Sequence, residues 1–151
     1  MCISEMTVCI DSRLESVSLA GTLVRVFCEG VGLSPAESGE IELCIVEAAN
    51  NSIVHGYARS PGHRVEVFAQ HESDDLTFEV RDHGKSMDPR QIEKIRLERH
   101  DGALDSIPEG GRGLAIIKAI MTRVRYRADA DINRLIMTKH VQGLPKALNR
   151  K

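Results

Sequence analysis

Apolar residues change their spacing several times along the chain, and each change marks an element. Thr7–Ile10 reads as a short strand. From Arg13 to Glu29, Val17, Ala20, Leu23, Val24 and Phe27 recur at helical spacing, and Gly30 and Gly32 suit the helix end. Ser34-Pro35-Ala36-Glu37 opens a second helix: Ser34 can cap it, Pro35 fits the first turn and Glu37 can close a capping box. This helix is expected to run to about His55 and end at Gly56. Val65, Val67 and Ala69 then alternate with polar residues, as do Leu76, Phe78 and Val80 after the polar turn His71–Asp75, which predicts a hairpin with one buried face. Asp88-Pro89 starts a short helix, Arg99–Gly110 reads as a polar loop, and Leu114–Met121 as an apolar helix. Val124–Asp129 and Arg134–His140 form a last hairpin. Strands grouped apart from helices predict an α+β fold: a two-layer sandwich of one mostly antiparallel sheet with helices on one face.

Composition narrows the class. The chain has 151 residues, 42% hydrophobic and 28% charged, enough apolar surface for one folded domain. We expect that domain over residues 1–142, with a short basic tail, 143–151, that frays. Lys plus Arg is 20 against 22 Asp plus Glu, a balance that argues against direct nucleic-acid or membrane-surface binding. No apolar run approaches the ~20 residues of a spanning helix, and Met1–Ile10 does not read as a signal peptide. The four cysteines, Cys2, Cys9, Cys28 and Cys44, form no metal-ligand spacing and read as reduced thiols of a cytoplasmic protein.

Three segments carry candidate chemistry. On the second helix, Ile41, Cys44, Ile45, Ala48 and Ser52 form one stripe, and Leu43, Val46, Ile53 and Val54 make much of the rest apolar, as in a deeply packed helix. Yet Glu47 and Asn51 lie one turn apart on one side, with His55 a turn further. Taken alone, this reads sooner as a polar strip facing solvent or a satisfied core network than as a site. Second, Asp82-His83-Gly84 follows a strand, where a carboxylate can stand at the sheet edge and a glycine allows close approach, although such a sequence is also an ordinary turn. Third, Gly110-Gly111-Arg112-Gly113-Leu114 opens a helix, where backbone N–H groups suit phosphate. It lacks the Lys-Ser or Lys-Thr of a Walker loop, and no strand leads into it as in a dinucleotide fingerprint.

Taken in order, Glu-x-x-x-Asn-x-x-x-His-Gly, Asp-x-Gly and Gly-x-Gly-Leu resemble the Bergerat ATP-binding fold of gyrase, the heat-shock chaperone, histidine kinases and the mismatch-repair ATPase. Glu47–Tyr57 and Asp82-x-Gly84 followed by Met87-Asp88-Pro89 are most similar to the bacterial anti-sigma factor serine/threonine kinases of partner-switching systems. The resemblance implies ATP and Mg²⁺ as cofactors. It makes Asn51 the Mg²⁺ ligand and Glu47 the general base toward a serine or threonine hydroxyl. Asp82 would accept from the adenine amino group, Gly84 would admit the base, and Gly111, Gly113 and Leu114 would cradle the phosphates. Residues between Pro89 and Gly110 would be the ATP lid, His55 would be structural, and Thr138 is a further nucleotide contact. The implied partners are an anti-sigma factor antagonist, phosphorylated on serine, and a sequestered sigma factor or equivalent regulator; a homodimer is also implied. Two departures stand out: Ser86 replaces a second glycine, and Asn133-Arg134 stands where a Gly-Thr pair commonly starts the last strand. A histidine-kinase-like catalytic domain and a non-catalytic ATP-binding module remain as alternatives. The former normally follows a helical hairpin bearing the phosphorylated His, and Met1–Ser34 contains no histidine.

Overall fold

A computed structural model of the chain describes residues 4–97 and 109–145. The elements are β1 (Ser4–Asp11), α1 (Leu14–Gly30), α2 (Pro35–Asn51), a π-helical turn (Ser52–Gly56), β2 (Arg64–Glu72), β3 (Asp75–Asp82), α3 (Arg90–Leu97), α4 (Glu109–Ile120), β4 (Arg123–Asp129) and β5 (Ile132–His140). The five strands form one sheet in the order β1-β2-β3-β5-β4, with every neighbouring pair antiparallel. The expected α+β sandwich is therefore what the chain builds. Of the segment expected to form an ATP lid, 98–108 lies outside the described residues.

Alternation in the strands decides which face meets the helices. Val65, Val67 and Ala69 of β2, Leu76, Phe78 and Val80 of β3, and Leu135 and Met137 of β5 are buried beneath α1, α2 and α4. The opposite face carries polar and charged side chains, with the Arg81 guanidinium 5.1 Å from the Phe68 ring centre. The capping box forms as expected. Ser34 Oγ accepts from Glu37 N–H at 3.2 Å, and the Ser34 N–H donates to Glu37 Oε2 at 3.0 Å. α1 and α2 pack closely at Gly21, where an added Cβ would lie 2.9 Å from Val46 Cγ2.

Three expectations need correction. α2 is not packed all round: Ile41, Cys44, Ile45 and Ala48 are buried, but Leu43 is 43% exposed, because only α1 and α4 flank the helix above the sheet. The α-helix stops at Asn51, and the chain continues to Gly56 as a π turn. The segment expected to fray from Gly143 is anchored at its start. Leu144 is buried, and the Gly143 N–H donates to Asp74 Oδ1 at 3.3 Å.

Candidate functional site

The site begins where α2 gives way to the π turn. Tyr57 N–H donates to Ser52 O at 3.0 Å, the wide i→i+5 closure of a π turn, and Ala58 and Arg59 follow at φ +50° and +63°. This path carries the Gly56 carbonyl beneath the end of β3, where it accepts from Lys85 N–H at 2.8 Å. Gly84 is required here for space: a Cβ would stand 2.4 Å from Gly56 C and O. Tyr57 braces the junction. Its hydroxyl donates to Arg64 O and accepts from His83 N–H, both at 2.7 Å, and its ring stacks on His63. Burial raises the Tyr57 pKa, against the lowering effect of the His83 hydrogen bond, so it stays a neutral donor.

Asp82 closes β3 with 7% exposure. Its Oδ1 accepts from Gly84 N–H at 2.9 Å and from Asn133 Nδ2 at 2.8 Å. Asn133 faces it because Asp82 pairs with Asn133 in the β3–β5 register.

α4 starts at Glu109, five residues earlier than the hydrophobic pattern predicts. Gly111 and Gly113 are therefore inside the helix rather than in a loop before it. Gly113 lets α4 meet α2: a Cβ there would lie 2.6 Å from Glu47 Oε2.

Between these elements lies a cavity of about 650 Å³, within the range that small-molecule sites occupy. Val80, Met87, Leu114 and Leu135 give it apolar walls; Asn51, Asp82, Lys85 and Gly111 bring polar groups to it. Of the sequence-derived site residues, Asn51, Asp82, Gly111 and Leu114 line the cavity. Glu47, Gly84 and Gly113 are not among the lining residues: Glu47 lies against Gly113, and Gly84 against Gly56, which lines the cavity. Among the described residues neither the Glu47 carboxylate nor the Asn51 amide makes a hydrogen bond. His55 is exposed and lines the cavity, rather than being built into the core.

Thr138 is not brought to the cavity. Its neighbours Met137 and Lys139 face the helices, Lys139 Nζ donating to Ile120 O at 2.7 Å, so strand alternation puts Thr138 on the opposite sheet face beside Thr77. Thr138 is thus not among the residues that line the cavity.

Sequence reasoning missed Tyr126, which lines the cavity and whose hydroxyl accepts from Met87 N–H at 2.9 Å. It also missed that Ser86 and Asn133, noted only as departures, touch: Ser86 Oγ donates to Asn133 Oδ1 at 2.8 Å. A buried amide at a strand start, facing the Asp-x-Gly turn, was the available signal.

Known proteins provide an independent comparison. Residues 10–139 match the histidine kinase-like ATPase domain. The chain is 28% identical over 128 residues to "Anti-sigma F factor" of Oceanobacillus iheyensis, covering 80% of this chain and 81% of that protein. It is 25% identical over 134 residues to "Serine-protein kinase RsbW" of Bacillus cereus, covering 88% and 82%. It is 28% identical over 102 residues to "Serine/threonine-protein kinase BtrW" of Bordetella bronchiseptica, covering 66% and 68%. With a match that spans most of its length and a cavity walled by the motifs that define the fold, this chain belongs to the histidine kinase-like ATPase domain family.

Proposed function

We propose that this chain is an ATP-dependent protein serine/threonine kinase that phosphorylates an anti-sigma factor antagonist and sequesters a sigma factor or equivalent regulator. It does so as a cytoplasmic homodimer. The observation that carries the reading is the cavity itself: a buried carboxylate, Asp82, at the apolar end, and the unpartnered Asn51 amide on the α2 wall. A flat base fits the apolar walls with its amino group toward Asp82, which leaves the phosphates toward Asn51, Lys85 and the first turn of α4. The kinase names of the relatives agree with this reading.

Among the described residues no cluster of three or more His, Cys, Asp or Glu side chains could hold a metal alone. Asn51 would hold Mg²⁺ through its side-chain amide oxygen, together with phosphate oxygens of the nucleotide. When bound, the ion neutralises phosphate charge. Glu47, one turn before Asn51, is the general base. Its carboxylate takes the proton of the incoming hydroxyl. That oxygen then bonds the γ-phosphorus as the bond to the β–γ bridging oxygen breaks, releasing ADP. Glu47 rests against Gly113 without ligand, and must turn toward the cavity when substrate arrives.

Incubation with γ-labelled ATP and a candidate antagonist tests this. Acid-stable phosphoserine on the partner is expected, and Glu47→Ala should lower the transfer rate roughly 10²–10⁴-fold while ATP still binds. Acid-labile phosphohistidine, or unchanged transfer by Glu47→Ala, refutes it.

A further inference from the structure

Ser86 and Asn133 each look like a loss when compared with the family pattern. In the structure they are one hydrogen-bonded unit. We infer that Asn133, held in one orientation by Ser86, is the positioning residue that makes Asp82 selective for a ligand bearing an exocyclic amino group. This rests on the nucleotide reading above and assigns a role to two residues which that reading does not use.

The hydrogen bonds permit only one setting of the amide. Asn133 is 4% exposed, and its Nδ2 donates to Asp82 Oδ1 at 2.8 Å and to Gly84 O at 2.9 Å. Both partner atoms are oxygens that accept: a carboxyl oxygen and a backbone carbonyl. A flipped amide would set its carbonyl oxygen against a carboxylate and a carbonyl. Ser86 reinforces the choice from the other end: its hydroxyl donates to Asn133 Oδ1 at 2.8 Å. Both N–H donors of the amide are engaged within the protein, its oxygen accepts from Ser86, and Asn133 does not line the cavity, so it acts through Asp82 rather than on the ligand.

The consequence falls on the two oxygens of Asp82. Oδ1 receives Asn133 Nδ2 and Gly84 N–H, which occupy both of its lone pairs. Oδ2 makes no hydrogen bond among the described residues. Asp82 lines the cavity, so Oδ2 is the acceptor left for a ligand N–H. Without the Asn133 donor only the Gly84 N–H holds Oδ1, so the carboxylate is less firmly oriented and its preference for an amino group over a bare ring edge weakens. The pair spans β5 and the loop after β3, two segments 47 residues apart.

Calorimetric titration of the full chain with ATP and with purine riboside 5′-triphosphate, which lacks the amino group, provides the test. Asn133→Leu keeps roughly the side-chain volume and removes both N–H donors. It should weaken ATP roughly tenfold or more, the scale of one hydrogen bond to a charged group, and leave the purine analogue within about twofold. Ser86→Ala, at an exposed position where folding is not at risk, should shift the ATP-to-analogue ratio in the same direction by less. It should add nothing in the Asn133→Leu background. If both variants weaken the two nucleotides equally, or leave the ratio unchanged, the inference is overturned while the nucleotide site stands. If the unmodified chain binds no adenine nucleotide, the proposed function itself fails.

Discussion

Replacing Gly84 by alanine tests the contact on which the cavity depends. Gly84 has no positive φ to relieve, so the effect is one of space alone. The new Cβ would lie 2.4 Å from the carbonyl carbon and oxygen of Gly56 and 2.8 Å from its Cα. Ordinary contact begins at 3.4 Å, so the two backbones must part by roughly 1 Å. That movement stretches the Lys85 N–H to Gly56 O bond, now 2.8 Å, beyond hydrogen-bond reach. Overpacking costs about 1–3 kcal/mol and the lost bond about 1, for a sum of about 2–4 kcal/mol. In a chain of this size that lowers Tm by about 5–15 °C. Because the Asp82–Gly84 turn moves with it, ATP affinity should fall more than tenfold. Scanning calorimetry and nucleotide titration measure both effects. Gly39→Ala is the matched control. Gly39 lies in α2 with nothing within 4 Å of a built Cβ, so alanine there should raise Tm slightly. A Gly84→Ala protein melting within about 2 °C of the parent, with unchanged affinity, would show that the π turn and the Asp-x-Gly turn do not depend on this contact.

Two further outcomes follow from the geometry. Gly113→Ala places a methyl 2.6 Å from Glu47 Oε2, a flexible atom that can yield, in a helix that favours alanine. Its Tm should hold or rise and ATP should still bind, while phosphoryl transfer drops; a fully active variant would remove Glu47 from the chemistry. Burial pushes the Cys28 and Cys44 thiols up to about 12 from 9.0. A thiol reagent at pH 8 should modify exposed Cys9 but neither of these until the chain unfolds, as mass mapping would show. Their folded pKa values lie above the unfolded ones, so the stability they contribute is complete below pH 9 and declines as pH rises through about 12. A melting temperature flat across that alkaline range would refute the burial argument.

The elements were legible wherever a local signal was strong. Alternation in β2 and β3 and the Ser34–Glu37 capping box each depend on residues a few positions apart, and all appear as read. The π turn was not legible. Ser52–Gly56 continues an apolar helical pattern, and what widens its coil is the fit of Gly56 under Gly84, 28 positions away. The start of α4 was misplaced because glycines are weak helix formers; the packing of Gly113 on Glu47 overrides that preference. Thr138 was assigned to the site from its strand alone, although one residue of register sets its face.

The sequence by itself determined the α+β class, the family and the identity of the acid, amide and glycine motifs, because each is written in short-range spacing and residue type. The tertiary structure alone decided that β5, rather than β4, lies beside β3, which puts Asn133 opposite Asp82. It also decided that Ser86 reaches the same amide, and that Glu47 rests against Gly113 of α4. Strand order and close backbone approach arise from long-range packing of the sheet against its helices, and no window of neighbouring residues encodes them.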